Sequence, residues 1–225
     1  MDCHPADGVV IVVVLCVILL LSALVAALTS VTASELLIAA NFRNNMEASY
    51  AAAAAADRAL IDLASMPDWG QALTGTTRSA FVDGAPSGTR MLPDGNVIDL
   101  SQVSNLANCR KPAQCSDGDM NLITVERPRG ANNPRWQLFA YGPLANTKTG
   151  VLSDSSFYAI VLVGDDPSEI DDNPLVDATQ GNPGAGMLAL RSEAFGPRSA
   201  HKVVELTVGR TAAGRLRVLS WRQLR

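Results

Sequence analysis

The sequence has few aromatic and few charged residues, so its apolar content is mainly aliphatic. Aromatic residues make up 5% of the 225 positions and charged residues 18%, whereas hydrophobic residues reach 48%. This composition, with only 17 glycines, excludes a collagen-like, coiled-coil or wholly disordered chain. The length suits one domain with an extension.

Basic residues are scarce near the N-terminus, and no part of the sequence forms a basic tract. Residues 1–65 contain six acids and two bases, and residues 66–225 contain sixteen of each. Binding to nucleic acid needs a concentrated positive face that neutralises phosphates. We therefore expect no nucleic-acid partner.

The motifs of common catalytic sites are also missing. No Gly-x-Ser-x-Gly motif occurs, and the glycine-rich residues 181–186 lack the preceding strand and following helix that a phosphate-binding loop requires. The chain has two histidines, and His201 falls in a predicted strand, where a surface or packing role is expected. We therefore expect a protein that is not an enzyme.

A long uncharged segment near the N-terminus is the most prominent feature that is present. Residues 9–28 contain no charge, and twenty helical residues at about 1.5 Å each span about 30 Å, the hydrocarbon thickness of a bilayer. The segment is longer than the apolar part of a cleaved secretory signal, and no Lys or Arg precedes it. We predict a transmembrane helix over residues 9–34.

Helix-forming composition continues beyond this segment. Residues 32–65 contain neither Gly nor Pro, residues 51–56 are all alanine, and Pro67 ends the pattern. These features predict one helix from Val9 to Ser65, with residues 35–66 as its amphipathic extension. The apolar stripe expected on that extension consists of Phe42, Met46, Tyr50, Ala53, Ala56, Leu60 and Ala64.

Residues 67–225 alternate turn formers with short β-forming segments, which predicts a β-rich domain. We expect a central strand at 157–163 and a final antiparallel meander, with one face on the helix and the other in water. The meander strands are predicted at 187–195, 201–210 and 215–221, and shorter strands at 91–92, 97–100, 122–127 and 136–141. The predicted fold class is therefore α+β, a long N-terminal transmembrane-to-amphipathic helix packed on a C-terminal antiparallel sheet domain.

Two cysteines lie close together in a polar part of this domain. Cys109 and Cys115 form a C-x5-C pair, which in an exported domain favours a disulfide that closes a small loop. Zinc is the alternative, but it needs four ligands and no further cysteine follows.

An acidic segment rich in Pro and Gly lies between residues 165 and 186. Seven acids and no base occur from Asp154 to Asp177. One interpretation is a calcium site, because clustered carboxylates are the hard oxygen ligands that this cation prefers. The other is a solvated loop, or one that lies on the basic C-terminal strands near Arg215, Arg217 and Arg222. The candidate calcium ligands are Asp165, Asp166, Glu169, Asp171 and Asp172.

Several segments resemble a known class of filament proteins. The sequence from Glu35 to Leu60, ELLIAANFRNNMEASYAAAAAADRAL, is similar to the PilX-like minor pilins of type IV pili and to the tip pseudopilins of type II secretion. Residues 66–75 and 191–205 extend the likeness. The resemblance implies that residues 1–8 are a leader that prepilin peptidase removes after Gly8, so that Val9 begins the mature chain.

The same resemblance implies a function, partners and a location. The chain would be a minor pilin or pseudopilin of the inner membrane, with residues 67–225 in the periplasm until assembly. Its partners would be other minor and major pilin subunits, the prepilin peptidase, the inner-membrane assembly platform and membrane lipid. Val13 stands where major pilins carry Glu, which favours a minor subunit at the tip or an initiator over a bulk subunit.

Acidic loops of pseudopilin domains bind calcium, so the resemblance also supports the calcium interpretation. The alternative function is a single-pass inner-membrane protein with a periplasmic binding domain. In that case the Gly8–Val9 bond would stay intact.

Overall fold

The computed structural model describes residues 6–92, 94–144, 155–177, 181–211 and 213–224, and it is α+β, as predicted. The described residues fall into two compact units, divided between Arg43 and Asn44. The helices are α1 (Ala6–Ser65), α2 (Gly70–Leu73), α3 (Leu100–Cys109) and α4 (Asp117–Met120). The strands are β1 (Thr89–Met91), β2 (Val97–Asp99), β3 (Gln137–Pro143), β4 (Tyr158–Asp165), β5 (Met187–Gly196), β6 (Ala200–Arg210) and β7 (Leu216–Leu224).

Helix α1 is continuous over 60 residues, as the lack of Gly and Pro after residue 31 predicts. It ends at Ser65, two residues before Pro67, since the residue before a proline is driven out of the helical region. The indole nitrogen of Trp69 donates a 3.1 Å hydrogen bond to the Leu63 carbonyl. That bond satisfies one of the last carbonyl groups, which have no partner within a helix.

The apolar face by which α1 joins the core differs from the predicted stripe. The stripe is wrong at Phe42, Met46 and Tyr50, which are 67%, 40% and 68% exposed, whereas Ala56 is buried and Leu60 packs against the core as predicted. The buried face consists of Ala48, Ala51, Ala52, Ala55, Ala56, Ala59 and Leu63. Alanine has the smallest apolar side chain with a Cβ, so the helix backbone can approach the sheet closely there.

The main sheet is an antiparallel meander in the order β3-β4-β5-β6-β7, which confirms the predicted C-terminal meander. Strand β4 is buried along its whole length, as expected of a central strand. Two bonds tie α1 to the sheet: Ser192 Oγ donates to the Ala52 carbonyl at 2.7 Å, and Gln223 Nε2 donates to Ser49 Oγ at 3.0 Å.

The opposite face of the sheet is not simply exposed to water, which corrects the prediction. A second apolar core covers its β3–β5 part, and α3 contributes to it through Leu100, Val103 and Ala107. The Asp99 carboxylate caps α3 by accepting hydrogen bonds from the backbone amides of Ser101 and Gln102. The strand expected at 122–127 does not form.

Charged groups occupy the remaining part of that face, on β5, β6 and β7. Glu193 pairs with Arg191 at 2.6 Å and with His201 at 2.8 Å. Glu205 joins Arg191 to Arg222, at 3.0 and 2.5 Å. Although burial acts to raise the pKa of Glu193, the hydrogen bond from His201 and the charge of Arg191 lower it below its ordinary value.

Candidate functional site

The N-terminal part of α1 has the length and composition of a membrane span. Its most apolar window of 18 residues has a mean hydropathy of 3.5, and none of that window is buried. Signal sequences near an N-terminus share these two properties. Of the predicted leader, residues 1–5 lie outside the described residues, and Gly8 and Val9 both lie within α1.

The structure places a disulfide between Cys109 and Cys115, the pair for which the sequence predicts one. The two Cα atoms are 6.0 Å apart, and the bridge joins the last residue of α3 to the segment before α4. Arg110 adopts a left-handed conformation just after α3, which turns the chain back towards Cys115. Cys16, in the apolar part of α1, is a free and exposed cysteine.

Two of the five candidate calcium ligands lie together at the end of β4. Asp165 is the last residue of that strand and is 3% exposed, and Glu169, four residues later, is 2% exposed. Asp177 joins them from the later part of the loop. One carboxylate oxygen from each of these three residues lies within 4.8 Å of the others. We call these three residues the carboxylate cluster.

The other three candidate ligands have different partners. Asp166 accepts hydrogen bonds from the backbone amide and hydroxyl of Ser168. Asp171 accepts from the Asn173 amide at 3.1 Å, and Asp172 exchanges two hydrogen bonds with the Asn132 side chain. The structure therefore does not gather the five predicted ligands around one point.

Burial and mutual repulsion dominate the electrostatics of the cluster. Burial, then the charge of Glu169 and a hydrogen bond with it, raises the pKa of Asp165 to about 8. Burial also raises the pKa of Asp177, against the opposing effects of the Gly186 amide and the Arg210 charge. At neutral pH, folding therefore brings together acidic groups that resist ionisation.

Glycines in the returning part of the loop bring Asp177 to the other two acids. The Gly186 amide donates to Asp177 Oδ1 at 2.6 Å. Gly184 has a φ of +90°, and a Cβ atom there would lie 2.8 Å from Glu169 Cγ. A side chain at position 184 would therefore strain the backbone and push against the buried Glu169.

The basic group whose charge acts on Asp177 is not one of the three arginines expected from the sequence. Arg210, at the end of β6, acts on Asp177 by its charge. Its guanidinium donates to the carbonyls of Met66 and Pro67 and lies 4.3 Å from the centre of the Trp69 ring. Arg210 therefore also holds the chain just beyond α1.

Sequence reasoning missed Asp177 as a member of the cluster. It counted this residue among the acids of the segment, but the four residues Asn-Pro-Leu-Val separate it from Asp172. The two glycines at 184 and 186 before β5 are the signal that the chain turns back at this point.

The remaining side chains singled out from the sequence have structural surroundings. His201 stacks on Phe195 with ring centres 4.4 Å apart. Trp69 and Trp136 are buried, as expected of packing residues, whereas Trp221 is 52% exposed. The glycine-rich residues 181–186 form turns that lead directly into β5.

No protein-family model, no curated protein and no solved structure matches this chain.

Proposed function

We propose that the chain is a non-enzymatic minor pilin or pseudopilin of the PilX-like kind, which acts in type IV pilus or pseudopilus assembly at the filament tip or as an initiator. The observation that carries the proposal is the division of α1 into two chemically different parts. Its N-terminal part exposes Val, Leu and Ile side chains, and its C-terminal part joins a soluble core.

Such a helix suits a subunit that moves from lipid into a helical bundle. In lipid, the apolar side chains of residues 9–28 are solvated by acyl chains, and the helix satisfies its own backbone hydrogen bonds. In a filament, neighbouring helices would replace the lipid. Small residues that allow close approach between helices recur along this part: Ser22, Ala23, Ala26, Ala27, Ser30 and Ala33.

The identity of residue 13 supports a minor position in the filament. A carboxylate at the fifth mature position of a pilin is buried in the apolar bundle and needs the N-terminal ammonium of a neighbour. Val13 cannot form that pair. We infer a subunit that has no neighbour ahead of it, in an inner membrane whose periplasmic side holds residues 67–225.

Mass spectrometry of the native N-terminus tests this proposal. The protein isolated from cells should begin at Val9, and Gly8→Leu should leave the precursor intact, because the peptidase needs a small residue at the cut. Ala6→Leu, which places the same side chain two positions earlier, is the matched control and should still be processed. An intact Gly8–Val9 bond in the native protein would instead favour a single-pass protein with a periplasmic binding domain.

A further inference from the structure

Strand β7 forms an open edge of the main sheet. It is the last strand in the sheet order, and its nine residues have one neighbouring strand, β6. The backbone groups that point away from β6 have no backbone partner among the residues that the structure describes. The opposite edge, β3, is covered, because the Ser79 amide donates to the Phe139 carbonyl and the Tyr141 amide to the Phe81 carbonyl, both at 2.9 Å. An open edge of this kind is a template for a further strand.

An apolar groove runs beside this edge, on the face of the sheet that carries α1. It is lined by residues 216–218 of β7 and by three residues of α1, Leu60, Ile61 and Ala64. Trp221 continues the apolar surface along β7, because its pairing partner Leu206 belongs to the core under α1. A bulge at Leu219 lets Val218 and Trp221 face this same side. A strand added to β7 would therefore place one of its two faces over apolar surface.

Arginines make the same edge basic. Residues 215–224 contain three arginines and no acid. Arg222 pairs with Glu205, whereas Arg215 and Arg217 form no ion pair with an acid in the described ranges. A second copy of this chain does not suit the edge, because pairing β7 with itself would bring its arginines together. A strand that carries acids is favoured for the same reason.

We propose that the edge of β7 binds an extended segment of a partner protein in which apolar and acidic side chains alternate. Backbone hydrogen bonds to β7 hold the added strand. Its apolar side chains lie over the groove beside α1. Its acidic side chains lie on the other face, with Arg217 and Arg222, because these two arginines pair with Gly209 and Glu205 of β6 and so point away from α1. The surface lies outside residues 9–28, so this interaction does not depend on the membrane or filament role of that part of α1.

Binding of synthetic peptides to the full chain in detergent tests the proposal. The probe is a short peptide of alternating valine and glutamate, and its control carries lysine in place of glutamate. At equal ionic strength, calorimetry should show saturable binding of the glutamate peptide, at least about tenfold tighter than binding of the lysine peptide. Absence of saturable binding of the glutamate peptide, or equal binding of the two peptides, would refute the stated chemistry of the partner.

A modified peptide separates strand pairing from simple attraction between charges. The glutamate peptide with every backbone nitrogen methylated keeps its side chains and charge but cannot donate backbone hydrogen bonds, so it should bind at least about tenfold more weakly. Hydrogen exchange of the β7 amides should slow when the unmodified peptide binds, whereas exchange of the β3 amides should not change. Binding that leaves the exchange of the β7 amides unchanged would overturn the proposal.

Two charge reversals locate the binding surface. Arg217→Glu should weaken binding of the glutamate peptide about threefold to tenfold and strengthen binding of the lysine peptide, because it exchanges attraction for repulsion at the exposed edge. Arg198→Glu makes the same charge change at an exposed arginine in the turn between β5 and β6, and it should bind both peptides as the wild type does. Equal effects of the two reversals would attribute binding to the overall charge of the chain and refute a site on β7.

Discussion

The buried face of α1, which we call the alanine face, leads to a specific prediction about packing. Ala55 is fully buried in the main core, whereas its neighbour Ala54 is exposed. Ala55→Leu would add three carbon atoms at a position where the helix lies directly on the sheet. Overpacking of this kind costs about 1–3 kcal/mol, because side chains leave their preferred rotamers and the backbone shifts.

The adjacent substitution Ala54→Leu provides the control. Both changes replace the best helix former with a slightly poorer one, a difference of a few tenths of a kcal/mol that is common to both variants. Ala54→Leu should therefore stay within about 0.5 kcal/mol of the wild type. Denaturant unfolding in detergent, followed by the fluorescence of the buried Trp69 and Trp136, measures both values. Equal losses in the two variants would show that the alanine face does not contact the sheet as described.

Three further predictions concern residues 109–196. Replacing Cys109 and Cys115 by serine should lower the free energy of unfolding by about 2–3 kcal/mol, measured by the same denaturation, because the short loop gains entropy when unfolded. Gly196→Ala should lower the melting temperature, since its Cβ would overlap the ring of Phe157 although the backbone there is extended. At Gly214 no atom lies within 4 Å of the new carbon and φ is +75°, so Gly214→Ala should show only the smaller cost of backbone strain. The pKa of Glu193 is lower in the folded chain than in the unfolded one, so its contribution to stability is complete above about pH 5 and is lost as the pH falls. Glu193→Gln should therefore be less stable at neutral pH and flatten the acid limb of the stability profile; an unchanged acid limb would contradict this assignment.

The existence of α1 was predictable because it depends on local composition, but its buried face was not. Six consecutive alanines present the same small side chain all round the helix, so hydrophobicity alone favours the larger Phe42 and Tyr50. The structure buries alanines because the sheet approaches the backbone, which is a property of the tertiary packing. A preference of this kind does not appear in the periodicity of one helix.

The predicted strands also fall into two groups, those that form in the structure and one that does not. The C-terminal meander has long β-forming segments separated by turns, and its pairing follows from sequence order. Residues 122–127 have similar β-forming side chains, yet Ile123 and Val125 are exposed and form no strand within the described part of the chain. β propensity is effective only where a neighbouring strand and a core receive the side chains.

The sequence contains a signal for helix α3, but the turn-forming residues around it obscure that signal. Asp99 stands at a typical N-cap position, and Leu100, Val103 and Ala107 follow at helical spacing. The surrounding turn residues hid this pattern. For the carboxylate cluster, the acidic composition predicted Asp165 and Glu169, but the inclusion of Asp177 depends on how the loop returns to β5.

The two parts of α1 make its stability and its assembly role experimentally separable. The core of residues 44–225 contains the alanine face, and the side chains of residues 9–28 are exposed. Substitutions among the small residues of the apolar part should therefore leave denaturant unfolding of the core unchanged. A defect in assembly caused by such a variant then reports on contacts in lipid or in a filament, because loss of the folded domain is excluded by the same measurement.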